Sequence, residues 1–368
     1  MTGLPAFAVG MIGLVVGCIA GFLVQRARLC TFGAVEDALA GGNWRRMKAY
    51  GLALAIALLG TQALVAFTGL DPAQTPYVPA QVALPGAFVG AMMFGLGMAL
   101  VGTCAFGSLV RLGTGDLRSL VALIVFGACA YAILRGVLAS LRIDWVEKAA
   151  LPMPFGTPSA WTAIAEAAFS PWASALLVIA LAAGFILIAV SDERLMRSPR
   201  LLAAAIGLGL CVVAGWAVTG PLADPFDMGI RVQSLTYVAP LARGLFGLLI
   251  GESGLMDFGV LCVAGVVIGS ATSALRAREF RWEAFDDHHE MRRHMAGAAL
   301  MGFGGVLAGG CTIGQGLSAG SLMAVSWPFT VAGMVLGARI GIAILVEGSV
   351  LDWLRALTRR EESRPSAE

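Results

Sequence analysis

Nine stretches, near residues 8–24, 49–68, 86–103, 117–139, 172–190, 200–219, 256–275, 296–310 and 325–347, are apolar over about the 20 residues a helix needs to cross a hydrocarbon core. In lipid every backbone N–H and C=O must be satisfied inside the protein, so spanning segments are helices or closed barrels. The runs are continuously apolar rather than alternating, which selects helices. The expected fold is therefore an all-α polytopic membrane protein with about nine transmembrane helices. Composition agrees: 58% of the 368 residues are hydrophobic and 13% are charged, where a soluble domain carries about 25% charge. A soluble enzyme is excluded. The net charge of +2 is scattered between spans, so no nucleic-acid partner is expected.

The basic residues orient the set. Arg26, Arg28, Arg45, Arg46 and Lys48 follow the first span, and Arg194, Arg197 and Arg200 surround the fifth-to-sixth link. Arg276, Arg278, Arg281, Arg292 and Arg293 fill the seventh-to-eighth link, and Arg355, Arg359 and Arg360 close the chain. All four clusters fall on one side if the N-terminus is extracytoplasmic and the C-terminus cytoplasmic. The loop at 69–85, without Lys or Arg, then lies on the opposite side. No basic region precedes the first apolar stretch, so it is read as a retained helix. The sequence Leu14-Val15-Val16-Gly17-Cys18 is taken as ordinary helix with a small packed cysteine, although it looks like a lipoprotein cleavage box.

An internal duplication carries the next step. Residues 90–113 and 297–320 align without a gap, so that Gly90, Gly95, Gly97, Gly102, Cys104, Gly107 and Gly113 meet Gly297, Gly302, Gly304, Gly309, Cys311, Gly314 and Gly320. A rare Cys in register with flanking Gly makes a chance match a poor account. The copies fall in the third and eighth spans, five steps apart, which predicts that they cross in opposite directions as an inverted-topology repeat with short re-entrant helices. The expected organisation is a first half over 1–140, an extracytoplasmic connecting segment over 141–171, a second half over 172–350, and a cytoplasmic tail over 351–368. Asp116 and Ser321 are candidate N-caps of the spans that follow each break. Unwound backbone at membrane depth is tolerated only around a cavity or inside protein. Cys104 and Cys311 are therefore expected to line a path and to approach each other.

Cys30, in Leu29-Cys30-Thr31-Phe32-Gly33-Ala34, precedes a Gly in another interrupted stretch. Its counterpart near 231–240 puts Thr236 or Tyr237 in its place. Cys18, Cys129, Cys211 and Cys262 sit in apolar spans and read as small core residues. No Cys-x-x-Cys occurs, and His288, His289 and His294 read as solvated loop residues, so no metal or cofactor is expected. Arg135 reads as a snorkelling side chain at a span end. Arg339 is divided between pairing, with Glu347 two turns on, and anion attraction. Arg231 and Arg243 are weak candidates for drawing in an anion. A soft thiol suits a sulfur-bearing solute, and half-helix N-termini suit an anion.

The segments Leu29–Ala34, Gly102–Gly107 and Gly309-Gly310-Cys311-Thr312-Ile313-Gly314-Gln315-Gly316-Leu317-Ser318 resemble the three cysteine motifs of the YeeE/YedE family. The resemblance implies inverted halves with a narrow waist where Cys30, Cys104 and Cys311 contact thiosulfate in turn, together with Gly102, Gly107, Gly310, Gly314 and Gln315. It also implies a bacterial inner-membrane location, with a small cytoplasmic sulfurtransferase as a possible partner. Other family members are associated with different sulfur compounds or with selenium. Three classes stay open on the residues: a carrier for a small sulfur-containing anion, a membrane thiol sulfurtransferase, and a sulfur-compound sensor acting through a partner. The first is preferred, and no enzyme is expected, because no general base or cofactor motif accompanies the cysteines.

Overall fold

The computed structural model describes residues 3–39, 41–145, 150–152, 159–168, 171–224, 227, 229–251 and 253–347. The tail at 351–368, with its basic cluster, lies outside them. The chain begins with α1 (Ala6–Ala27), α2 (Thr31–Leu39) and α3 (Arg45–Thr68), then the strand β1 (Gln81–Val82) and α4 (Leu84–Val101), α5 (Ala105–Gly113) and α6 (Leu117–Leu134). Next come α7 (Ala139–Trp145), β2 (Leu151–Pro152), α8 (Trp161–Ala168), α9 (Pro171–Val190) and α10 (Glu193–Met196). The rest is α11 (Pro199–Thr219), α12 (Val238–Ile250), α13 (Phe258–Ala277), α14 (His288–Leu307) and α15 (Ser326–Glu347). Among the described residues, eight helical segments are long and apolar enough to cross a membrane. The ninth expected span lies in α14, whose first turns are charged while its Gly-rich remainder packs along α4.

Small residues set the packing. Without a hydrophobic drive between helices in lipid, close backbone approach supplies the attraction, and it requires residues with no bulk. A Cβ on Gly17 of α1 would stand 2.2 Å from the Cys262 carbonyl oxygen of α13, and one on Gly269 of α13 would stand 2.0 Å from that of Cys18. Contacts advance together along both chains, from Gly10 with Met256 to Gly21 with Val266, so α1 and α13 run parallel. By the same reading α4 runs parallel to α15, with Gly95 against Met334 and Gly341 against Leu96. It runs antiparallel to α14, with Gly90 against Gly304 and Gly97 against Gly297. Side chains such as Phe7, Leu176 and Leu187 are left exposed on the outer faces, as lipid contact requires.

The turns after α4 and α14 have the same construction. Gly102 and Gly309 adopt φ of +75° and +76°, a left-handed conformation that costs a side-chain-bearing residue about 1–2 kcal/mol. Thr103 N–H then donates to the Met98 carbonyl, and Gly310 N–H to the Gly305 carbonyl. These bonds stop both helices and release the chain at the two cysteines. Cys104 opens α5, and Cys311 opens the helical segment 312–321, which widens to a π-helix over Gly314–Ala319.

Two expectations need correction here. Asp116 does cap α6, accepting from Arg118 N–H. Ser321 caps nothing, because α15 starts only at Ser326. The intervening turn, with Met323 at φ +55°, instead pairs with the connecting segment, where Trp161 N–H donates to the Met323 carbonyl and Val325 N–H to that of Ser159. Ser321 accepts from the Trp216 indole and donates to the Ser318 carbonyl. His294 is also no solvated loop residue. It lies in the first half of α14, is 7% exposed, and sits edge-on to Phe285.

Candidate solute path

Each copy of the repeat uses its cysteine as the first acceptor of a helix. Gly107 N–H donates to Cys104 Sγ at 3.3 Å, and Gly314 N–H donates to Cys311 Sγ at 3.4 Å. These N–H groups have no partner within their own helices, and a sulfur three residues earlier replaces the usual Ser or Asp oxygen. Both cysteines are fully buried. The Cys104 thiol donates to the Thr31 hydroxyl at 3.9 Å, which donates in turn to the Tyr50 phenol at 2.8 Å. Thr312, next to Cys311, is buried, and its hydroxyl has no hydrogen-bond partner among the described residues.

Cys30 joins the first of these turns. It is half-buried, and its sulfur lies 3.5 Å from the Thr103 hydroxyl. Gly107 has no Cβ, and a Cβ there would stand 3.2 Å from Cys30 Sγ and 3.5 Å from Cys104 Sγ. The missing side chain is therefore what leaves both sulfurs facing one space. The four other cysteines lie inside α1, α6, α11 and α13, and all seven are free thiols. Gln315 is buried and bonded at both ends of its amide: its nitrogen donates to the Ala308 carbonyl at 2.7 Å, and its oxygen accepts from Thr330 at 3.2 Å. It braces the Gly309–Gly310 turn against α15.

Two cavities reach these turns from opposite sides. One, of about 630 Å³, ends on Gly102, Thr103, Gly107 and Cys30, and is lined by Arg28, Arg46, Arg111, Arg278 and Arg281. Arginines from two clusters distant in sequence thus meet at one mouth. Some of that charge is balanced, since Arg28 bonds Glu279 at 3.0 Å and Arg46 bonds Asp37 at 3.1 Å. Arg28 holds the Glu279 carboxyl below its ordinary pKa, helped by Gln25. The other cavity, of about 770 Å³, ends on Gly309 and Gly310 and is lined by Arg135, Arg142, Arg231, Arg243, Tyr77 and Thr236. Arg243 is anchored to Asp257 at 2.9 Å.

The expected residues are distributed accordingly. Cys30, Cys104 and Cys311 with Gly102, Gly107, Gly310 and Gly314 lie at the two turns, and Arg231 and Arg243 line the second cavity. Arg339 is exposed on α15 and lines neither cavity. Arg135, at the end of α6, is exposed and lines the second cavity. Arg142 and Tyr77 were not singled out in the sequence, because both lie in segments without periodic pattern.

Sequence comparison decides the family. The sulphur transport family matches residues 26–340 of the chain. The protein belongs to the sulphur transport (YeeE/YedE) family. Two curated relatives agree. The chain is similar to the thiosulfate transporter TsuA of Escherichia coli (strain K12), 28% identical over 359 residues that cover 90% of this chain and 93% of that one. It is also similar to the thiosulfate transporter TsuA of Spirochaeta thermophila, 27% identical over 327 residues covering 85% and 92% respectively. The YeeE/YedE protein is a multi-pass membrane transporter for sulfur, not an enzyme.

Proposed function

We propose that this YeeE/YedE protein takes up thiosulfate across the bacterial inner membrane. The N-terminus is extracytoplasmic, and the basic-loop face and C-terminus are cytoplasmic. The observation that carries the reading is the pair of arginine-lined cavities ending at matched turns, with the buried thiols of Cys104 and Cys311 between them. A dianion leaving water must find donors at every step, and a hydrogen bond to a charged group contributes about 1.5–3 kcal/mol. Arginines collect the anion at each mouth. At the waist full charges give way to thiols, hydroxyls and helix N-termini, which hold an anion weakly enough to release it.

The sulfur end of thiosulfate is soft, and it meets Cys311, then Cys104, then Cys30, each a weak S–H donor. The halves at 1–140 and 172–350 supply one cysteine turn each, related as inverted repeats. The first half adds Cys30, next to the cavity where a small sulfurtransferase would receive the solute. A sulfurtransferase activity of the chain itself is disfavoured, because no base is bonded to any of the three thiols among the described residues.

Purified protein in liposomes tests the reading. Uptake of ³⁵S-thiosulfate without any partner protein is expected, together with thiosulfate-dependent growth of a host lacking its other sulfate and thiosulfate uptake systems. Uptake that appears only with an added partner would overturn it.

A further inference from the structure

The two matched turns differ in what crowds the glycine three residues beyond the cysteine. At Gly107 the site of a missing Cβ is surrounded by Thr103 Oγ1 and by the sulfurs of Cys30 and Cys104. At Gly314 the same site stands 2.7 Å from Thr236 Oγ1 and 2.8 Å from Tyr77 Oη. Thr236 therefore occupies the place that Cys30 takes in the first half. The first turn has two thiols and one hydroxyl, and the second has one thiol and two hydroxyls.

Tyr77 is held there by construction. It comes from the loop between α3 and α4, which has no Lys or Arg, is 4% exposed, and sits edge-on to Trp216 with ring centroids 6.2 Å apart. Its phenol oxygen flanks the same Gly314 site as the Thr236 hydroxyl, and burial pushes its pKa up, so it stays neutral at physiological pH. Both residues line the cavity that contains Arg231 and Arg243.

We propose that Tyr77 and Thr236 form an oxyanion subsite beside Cys311, which takes the sulfonate oxygens of the solute while the thiol faces its terminal sulfur. This rests on the solute being a sulfur oxyanion. Thiosulfate carries both chemistries on one ion: three hard oxygens that favour O–H donors and one soft sulfur that favours S–H. A hydroxyl pair at the second turn and a thiol pair at the first therefore bind opposite ends of the ion, so it is oriented on entry and passed forward sulfur first. The subsite is a specificity element, because a hydrosulfide ion has no oxygens for it to hold.

Tyr77→Phe, Thr236→Val and Thr236→Ser proteins in liposomes test this by initial rates of ³⁵S-thiosulfate uptake against concentration. Tyr77→Phe and Thr236→Val are each expected to raise the half-saturation concentration about tenfold, the equivalent of 1.4 kcal/mol and of one lost bond to a charged group. Maximal rate should change less, and Thr236→Ser should retain wild-type half-saturation. A Tyr77→Phe protein that fails to insert leaves the Thr236 pair to decide. Wild-type uptake with unchanged half-saturation in Thr236→Val overturns the subsite alone. Wild-type protein that takes up no thiosulfate overturns the reading of the solute and the subsite with it.

Discussion

Cys30 and Thr103 meet at 3.5 Å, sulfur to hydroxyl oxygen, across 73 residues of chain. One stands directly before α2 and the other directly before Cys104, so this contact ties the mouth of the first cavity to the waist. Thr103→Val removes the hydroxyl at nearly constant volume and leaves the Cys30 thiol without that partner. A net hydrogen bond contributes about 0.5–1.5 kcal/mol. Thiosulfate uptake should fall about three- to tenfold in Thr103→Val and stay near wild type in Thr103→Ser, measured at matched protein in liposomes.

Serine replacements separate thiol chemistry from packing. Cys30→Ser, Cys104→Ser and Cys311→Ser keep volume and polarity but replace a soft donor by a hard one. Each should insert normally and lose at least about tenfold in uptake, or roughly 1.4 kcal/mol. The same change at Cys18, Cys129, Cys211 and Cys262 should be tolerated. Equal tolerance at all seven positions would reject the cysteine path.

The helix seams predict a stability contrast between two glycines. A Cβ on Gly337 would stand 2.0 Å from the Met92 carbonyl oxygen, so Gly337→Ala must push α4 and α15 apart. A cost of about 1–3 kcal/mol is expected, read as a lower thermal midpoint in detergent. Gly184 in α9 has nothing within 4 Å, and Gly184→Ala should leave the midpoint unchanged or raise it slightly.

Arg28 and Glu279 predict a pH dependence with a definite sign. Arg28 depresses the folded-state pKa of Glu279, so the pair's contribution is complete above the unfolded carboxyl's value of about 4.3. It is lost as pH falls through the depressed value. The midpoint gap between wild type and Arg28→Gln should be constant from pH 7 to about 5 and close below that. A gap that widens on acidification would contradict the assignment.

Reporter fusions after residue 80 and within 276–294 should report extracytoplasmic and cytoplasmic locations respectively. The reverse pattern would invert the direction assigned to the path.

The spans, the repeat and its two cysteines were legible in the sequence because each is a periodic or duplicated signal. Gly102 and Gly309 even share their left-handed φ. Ser321 misled because α15 begins only at Ser326, five residues beyond it, the turn between being held by pairing with residues 159–161. That contact is too long-range for local pattern to reveal. Tyr77 was illegible for a similar reason: Pro76 and Pro79 mark a loop, and nothing local indicates that it folds inward onto Trp216. Arg135 and Arg142 acquire their setting only when α6 and the connecting segment bring them beside Arg231 and Arg243. The choice between Thr236 and Tyr237 as counterpart of Cys30 likewise needed three dimensions, since only Thr236 reaches Gly314 with its side chain.

The seams of α1 with α13, and of α4 with α14 and α15, each join a helix from before the connecting segment to one from after it. At their glycines one helix comes within contact of the other's backbone, leaving little side-chain bulk there to act as a bearing. The two halves are spliced rather than stacked, and a see-saw of one against the other would have to unzip every seam at once. For the proposed path this makes the thiol and hydroxyl rotamers, rather than the frame, the expected moving parts.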